Sequence, residues 1–461
     1  MVNGKGTNRP YVNFLGNSTT DVTGSMHLVR YQKYCILLDC GMIQGGDIVT
    51  GYKTNREQLK KIKPNEIDYV ILSHNHIDHS GLIPALFAKG CHAHVYIPQG
   101  SLPFLKLLWE DSQKIMESDC LKIQKKHGIK APPLYTQENI NQALDRCIEI
   151  PFNSVQQVMN NIRFTYYPAG HIVCSAQIYL ELGKDPNEIK RIGYTGDIGG
   201  PRQRVFTDVR ESLPFVDLLI GENTYNSPAR PNSIKDRAND ILKIQTIIGQ
   251  ANKILIPSFS LQRTQEIITV LYNNGIMTKC PVYLDSPLAE KFCNIWPDID
   301  GWPGPMKDVK IIHDYEQSIS LQKSNEHCII ISASGFMQGG RIVSHLKTAL
   351  SNPHNHIIFI GYAGENNLAS QIKSGQKEVN VDGLLVSNKA NITELRSFSS
   401  HASYEELMEY YAYECRYNKL ALVHGNFEDK TEFSVNLQEN LVSQGKSSRV
   451  ICTNQDQKIF F

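Results

Sequence analysis

The sequence has no C-x-x-C pair, although it holds 11 cysteines in 461 residues. Their odd number and loose spacing, from Cys35 to Cys452, exclude a Cys-based zinc ribbon and a disulfide framework. They fit free thiols in a reducing compartment, the cytoplasm. Cys35, Cys174 and Cys328 sit within or beside apolar runs and read as core residues. No apolar run approaches the roughly 18 residues of a membrane span. The opening Met1-Val2-Asn3-Gly4-Lys5-Gly6 lacks the apolar stretch of a secretory signal. Net charge is missing too: 47 basic against 46 acidic residues leave +1. That argues against a general nucleic-acid coat protein, while leaving room for a local basic groove. Repeats, low-complexity segments and separate binding modules are also absent.

What is present is a long alternation of strand-like and helix-like runs, enough for two or three domains of layered α/β architecture. Strands are predicted over 34–38, 69–72, 162–167, 191–194 and 216–220. Each runs into a loop carrying Asp, His or Glu: Asp39, His74, His171, Asp197 and Glu222. A long helix is predicted over 105–126, basic in its later half (Lys122, Lys125, Lys126). After Glu222 the texture changes. A helix near 234–249 precedes strands at 254–256, 282–284, 328–331 and 356–360, each ending in a turn rich in Ser, Gly or Pro. Strand, tight loop, helix, repeated, predicts a parallel sheet with ligand loops at its carboxyl edge. We read 1–222 and 395–461 as two parts of one domain, interrupted by a second domain at 223–394. Short strands at 420–423 and 449–452 close the chain.

His74-Asn75-His76-Ile77-Asp78-His79 packs four metal-ligand side chains into six residues, between the apolar Tyr69–Leu72 and Gly81–Phe87. One ion does not comfortably use all four, because structural zinc takes four ligands and catalytic zinc three plus water. Two adjacent metals sharing the loop is the natural reading. His171, Asp197 and His401 recur in similar Gly or Ser turns (Ala169-Gly170-His171, Thr195-Gly196-Asp197, Ser399-Ser400-His401) and extend the ligand list.

With these residues in place, the chain resembles a metallo-β-lactamase-fold nuclease of the β-CASP group nearly end to end. The resemblance rests on Asp21-Val22-Thr23-Gly24-Ser25, Leu38-Asp39-Cys40-Gly41, Gly193-Tyr194-Thr195-Gly196-Asp197 and Gly221-Glu222-Asn223-Thr224-Tyr225. Later blocks are Ile256-Pro257-Ser258-Phe259-Ser260-Leu261-Gln262-Arg263, Asp285-Ser286-Pro287 and Ser332-Ala333-Ser334-Gly335-Phe336-Met337-Gln338-Gly339-Gly340-Arg341. The closing block is Leu422-Val423-His424-Gly425. It implies an αββα sandwich with an inserted β-CASP α/β domain, and two Zn2+ per chain, with Mn2+ as a substitute. His74, His76 and His171 would hold one ion; Asp78, His79 and His401 the other; Asp197 would bridge them. Asp39 would fix the tautomer of a ligating histidine, and Glu222 would point towards the cleft and orient His401 or a group on the substrate.

Phosphodiester hydrolysis by water needs a nucleophile, charge neutralisation and a proton for the leaving oxygen. The resemblance implies a hydroxide between the two ions for the first. For the last, the pre-mRNA 3′-end cleavage endonuclease carries a histidine nine residues after the tyrosine of a Gly-Tyr turn. Counting from Gly361-Tyr362 gives Gln371, which donates no catalytic proton at neutral pH but can hydrogen-bond a phosphate or Glu222. The segment Ala363-Gly364-Glu365-Asn366 also departs from the family's pattern. Substrate grip is assigned to Ser258, Ser334, Gly335, Gly339 and Gly340 through hydroxyls and backbone N–H groups, and to Arg263 and Arg341 as guanidinium forks. His345, His354 and His356 read as structural, and His424 either touches the substrate or supports the last strands. The expected activity is a zinc-dependent ribonuclease cutting single-stranded RNA between the two domains, with DNA open as substrate. No membrane partner is implied, and a homodimer is an open option. A small-molecule metallo-hydrolase and a metal-dead partner subunit are the competing readings. The first lacks the 256–341 blocks, and the second is at odds with a full ligand set.

Overall fold

The protein is described by a computed structural model over residues 9–201, 208–229, 233–296, 305–337, 339–361 and 367–461. Gln338 and the 362–366 segment lie outside the described residues. The chain divides into two compact units, Met1–Pro231 with His401–Phe461, and Asn232–Ser400.

Two seven-stranded sheets build the first unit. One runs in the order Lys458–Phe460, Tyr11–Phe14, His27–Tyr31, Tyr34–Leu38, Tyr69–Ile71, His94–Pro98, Cys147–Ile150. The other runs Arg449–Cys452, Tyr417–Val423, Val216–Glu222, Lys190–Tyr194, Ala176–Leu182, Ile162–Pro168, Val155–Met159. Period-two alternation explains the layering. Ile36 and Leu38 join Phe164, Ile178 and Ile220 in a core between the sheets, while Cys35 and Leu37 face a helical layer with Leu86, Leu105 and Trp109. In the second sheet Leu219 faces the opposite layer, against Leu407, Tyr411 and Phe433. Strands buried on both faces read as unbroken apolar runs, and this is the predicted αββα sandwich.

The second unit holds a six-stranded sheet, Val309–Ile311, Val282–Asp285, Cys328–Ser332, Lys253–Pro257, His356–Phe359, Asn391–Glu394, parallel at every pairing. A two-stranded ribbon, Glu378–Val381 with Leu384–Ser387, stands beside it in sequence. The unit boundaries fall later than the 223–394 reading. Thr224 and Asn226 are tied to the first unit by bonds to His424 (2.8 Å) and the Asn426 carbonyl (3.1 Å). Arg396 and Ser397 donate their N–H groups to the buried Asp240 of the second unit (2.8 and 2.9 Å). The predicted long helix spans Leu102–His127, and no helix among the described residues is long and apolar enough to cross a membrane. All 11 cysteines are unpaired.

Lys430, on the helix Phe427–Ser443, is fully buried and donates to the carbonyls of Thr19 and Thr453. Burial pulls its ammonium down to about 8 from the ordinary 10.5. Between those values the unfolded chain holds a proton that the folded chain has released, so folding gains stability as pH rises through this window. We predict that the stability of the native chain relative to Lys430→Met rises between pH 8 and 10.5, by up to about 3 kcal/mol. Urea melts at both pH values test this; a flat difference would refute it.

Candidate metal centre

The ligand loop starts where the strand Tyr69–Ile71 ends. His74 and His76 precede a single-turn helix, Ile77–Ser80, which carries Asp78 and His79. A backing loop fixes this helix through its backbone. Ser25 N donates to the Asp78 carbonyl (2.9 Å), Cys40 N to that of His79 (2.8 Å) and Met42 N to that of Ile77 (2.9 Å). The approach is so close that a Cβ on Gly41 would lie 1.6 Å from the Asp78 carbonyl oxygen. Gly41→Ala must therefore push the ligand helix aside. A shift of about 1 Å costs roughly 10²-fold in activity. We expect that loss with a fall in bound metal, read by elemental analysis of the purified variant; full metal content would overturn it.

Seven side chains close two four-cornered sets that share Asp197. In the first, His76 Nδ1 lies 3.2 Å from His74 Nε2 and 3.3 Å from His171 Nε2, and Asp197 Oδ2 lies 3.6 and 3.7 Å from the latter two. In the second, His79 Nε2 lies 3.3 Å from His424 Nε2, 3.2 Å from Asp197 Oδ1 and 3.9 Å from Asp78 Oδ2. Asp78 Oδ2 is 3.4 Å from His424 Nε2. Corners of a tetrahedron around zinc, at ligand distances of roughly 2.0–2.2 Å, are about 3.3–3.6 Å apart. Both sets have the size and the donor chemistry to hold a cation.

Electrostatics agree. Burial drives His74 and His171 well below the ordinary imidazole value and His76 to about 4, so these three rings present lone pairs to one another. That contact is unfavourable without a positive charge among them. The buried Asp197 Oδ1 atom lies 3.2 Å from His79 Nε2 and 3.5 Å from His424 Nδ1. In the second set burial opposes charge on His79, but Asp197, Asp39 and Asp78 overcome it and raise the ring well above its usual value. His424 is raised likewise, and Asp197 is held well below the carboxylate range, burial being outweighed by His424 and His79. Protons on His79 and His424 supply the charge that a divalent cation would bring.

Asp39, with φ +56°, turns its buried carboxylate under the loop. It accepts from Ser73 N and Ser73 Oγ (both 2.7 Å), from the Tyr194 hydroxyl (2.7 Å), and pairs with His79 Nδ1 at 2.6 Å. The tautomer-fixing role predicted for Asp39 thus has a definite target in His79.

The sequence reading places His401 with Asp78 and His79; in the structure it groups with Asp197 and Glu222 in a third cluster that could hold an ion. Its Nε2 is 3.9 Å from Asp197 Oδ2, and its Nδ1 pairs with Glu222 Oε1 at 3.1 Å. His424 takes the corner beside Asp78 and His79 instead. Glu222, fully buried, is pinned by the N–H groups of Ile198 (2.9 Å) and Thr224 (3.0 Å), with its Oε1 beside the His401 ring. The His424 assignment was open to sequence reasoning. It follows a strand, Leu420-Ala421-Leu422-Val423, and precedes Gly425, whereas His401 sits in a serine-rich loop with no strand before it.

Among the residues assigned to substrate grip, both arginines are spent inside the second unit. Arg263 is buried and donates to the Ile360 carbonyl (2.5 Å). Arg341 donates to Asp285 (2.6 Å) and to the carbonyls of Ile312 (2.9 Å) and His313 (3.2 Å). These bonds draw on N–H groups that a phosphate fork would use. His345 joins the same buried carboxylate (2.6 Å to Asp285), which is the structural role expected of it. Ser258 is buried and accepts from Thr264 Oγ1 (3.0 Å). Ser334 bonds the Gly339 carbonyl through its N–H (3.2 Å), and Gly335 packs on the Phe259 ring. Gln371 lies on the helix Leu368–Lys373.

Comparison with known proteins finds family matches along the chain. Residues 19–153 match the metallo-beta-lactamase superfamily, 264–372 the Beta-Casp domain, and 386–443 a Zn-dependent metallo-hydrolase RNA specificity domain. The chain is 29% identical to a Thermus thermophilus protein named Ribonuclease TTHA0252, covering 88% of this chain and 91% of that one. It is 29% identical to an RNase J-like protein of Methanocaldococcus jannaschii (90% and 92% covered). It is 26% identical to the transcription termination factor FttA of Methanosarcina mazei (85% and 63% covered). Among solved structures, a protein of unknown function from Enterococcus faecalis V583 superposes with a TM-score of 0.56 over 98% of this chain and 100% of that one, at 14% identity, a likeness of fold.

Proposed function

We propose, taking as premise that this chain is a β-CASP nuclease of the metallo-β-lactamase superfamily, that it is a zinc-dependent ribonuclease hydrolysing phosphodiester bonds of single-stranded RNA with two ions. The observation that carries the reading is the pair of four-membered His/Asp ligand sets that share Asp197. Imidazole-rich donors suit zinc, with manganese as a weaker fit. The relatives named as ribonucleases and the match to an RNA specificity domain support RNA as substrate. Ligand side chains are recessed, from fully buried His74 to 15% exposed Asp78. A single strand can splay to reach such atoms more readily than a duplex.

When bound, the two ions supply an activated water and neutralise charge on the phosphate. The residues do the rest. His74, His76 and His171 define one position, Asp78, His79 and His424 the other, and Asp197 sets their separation. His401 stands outside both sets, with 16% of its side chain exposed. Glu222 engages its Nδ1, leaving Nε2 to carry the proton for the leaving oxygen. This fills the donor role that Gln371 leaves open.

The test is incubation of the purified chain with end-labelled single-stranded RNA, duplex RNA and single-stranded DNA, with and without zinc, beside an Asp78→Ala, His79→Ala double variant. Metal-dependent cleavage of the single-stranded RNA alone supports the reading. Equal cleavage by the double variant, or preference for DNA or duplex, overturns it.

A further inference from the structure

We propose that Ser73 and Asp39 form a relay through which one carboxylate positions a ligand in each of the two metal sets. The inference deepens the two-ion reading and rests on it. Asp39 belongs to neither set, yet its Oδ2 lies 2.6 Å from Nδ1 of His79, a member of the second. The same oxygen accepts the Ser73 hydroxyl proton at 2.7 Å, and that hydroxyl lies 3.1 Å from His74 Nδ1. A hydroxyl has one proton. Since Ser73 gives it to Asp39, its oxygen is left to accept from His74 Nδ1–H.

The two contacts have the same result. His79 holds its proton on Nδ1 and offers Nε2 to the set containing Asp78 and His424. His74 holds its proton on Nδ1 and offers Nε2 to the set containing His76 and His171. Asp39, Ser73, His74 and His79 are all fully buried, and Tyr194 is 1% exposed, so no solvent competes for these bonds. The Tyr194 hydroxyl donates to the same Oδ2 and the Ser73 N–H to Oδ1 (2.7 Å each), which holds the carboxylate in place. Ser73 and Asp39 are thus positioning residues. Asp39 serves both metal positions, and Ser73 only the one that His74 helps to build.

That asymmetry gives the test. Metal-free native chain, Ser73→Ala, Ser73→Thr and Asp39→Asn are titrated with zinc against a chromophoric chelator, and their metal-free folding is compared by circular dichroism. The expected result is a drop of about 10–100-fold in affinity for one of two ions in Ser73→Ala, near-native binding in Ser73→Thr, and weakening of both ions in Asp39→Asn. Two ions bound natively, with Ser73→Ala weakening neither or both alike, overturn the relay alone. Failure of Ser73→Thr to restore binding overturns it too. Fewer than two ions in the native chain overturn the two-ion reading and the relay with it.

Discussion

Replacing Asp197 by alanine is expected to strip both ions from the chain and to lower the cleavage rate by about 10³-fold or more. Its two oxygens are the only corner that the ligand sets have in common, Oδ2 facing His74 and His171, Oδ1 facing His79. Without it each set keeps three donors, and the raised charge on His79 and His424 loses the largest carboxylate that supports it. Metal catalysis of this kind contributes several kcal/mol, and each 1.36 kcal/mol is a factor of ten. Elemental analysis and single-turnover rates make the measurement. A variant that retains both ions would mean that Asp197 is a neighbour of the site, not its shared vertex.

The second large effect separates His401 from His424. His424→Ala is expected to lose one ion of two, because it removes a corner 3.3 Å from His79 and 3.4 Å from Asp78. His401→Ala is expected to keep both ions and still lose about 10²–10⁴-fold in rate, the usual worth of a positioned general acid. Glu222→Gln should follow His401→Ala in kind and by a smaller factor, since it disturbs the ring that it orients and leaves the ligands in place. Substrates with a leaving group that needs no protonation should recover most of the His401→Ala deficit and none of the His424→Ala deficit. If His401→Ala sheds an ion, the ring is a ligand after all.

Much of this centre was legible in the sequence because the ligands sit where strands end. His74, His171 and Asp197 each follow a buried run, and a buried run is readable from period and composition alone. The parallel sheet of the second unit was legible for the same reason. What sequence could not weigh was competition among equals. His401 and His424 both lie in the right part of the chain, and the choice depends on distances set by the pairing of Tyr417–Val423 with Val216–Glu222. Arg263 and Arg341 misled for a related reason. Arginine near a glycine-rich loop looks like an anion site, but here Arg341 bonds Asp285 and two backbone carbonyls, and Arg263 bonds the Ile360 carbonyl. Ser73 and Tyr194 went unremarked, because nothing in one dimension links a hydroxyl at 194 to a carboxylate at 39. The short strands Tyr11–Phe14 and Lys458–Phe460, which pair with each other at one end of the sheet, were missed because three or four residues carry little periodicity.

In the second unit the first and last described turns are joined: Ser233 N donates to the Arg396 carbonyl at 3.0 Å. A segment of more than 160 residues therefore begins and ends at nearly one point. Such a segment behaves as a cassette. Its host needs only a short gap at one surface loop to accept it, and the entropy of closing that gap hardly depends on what fills it.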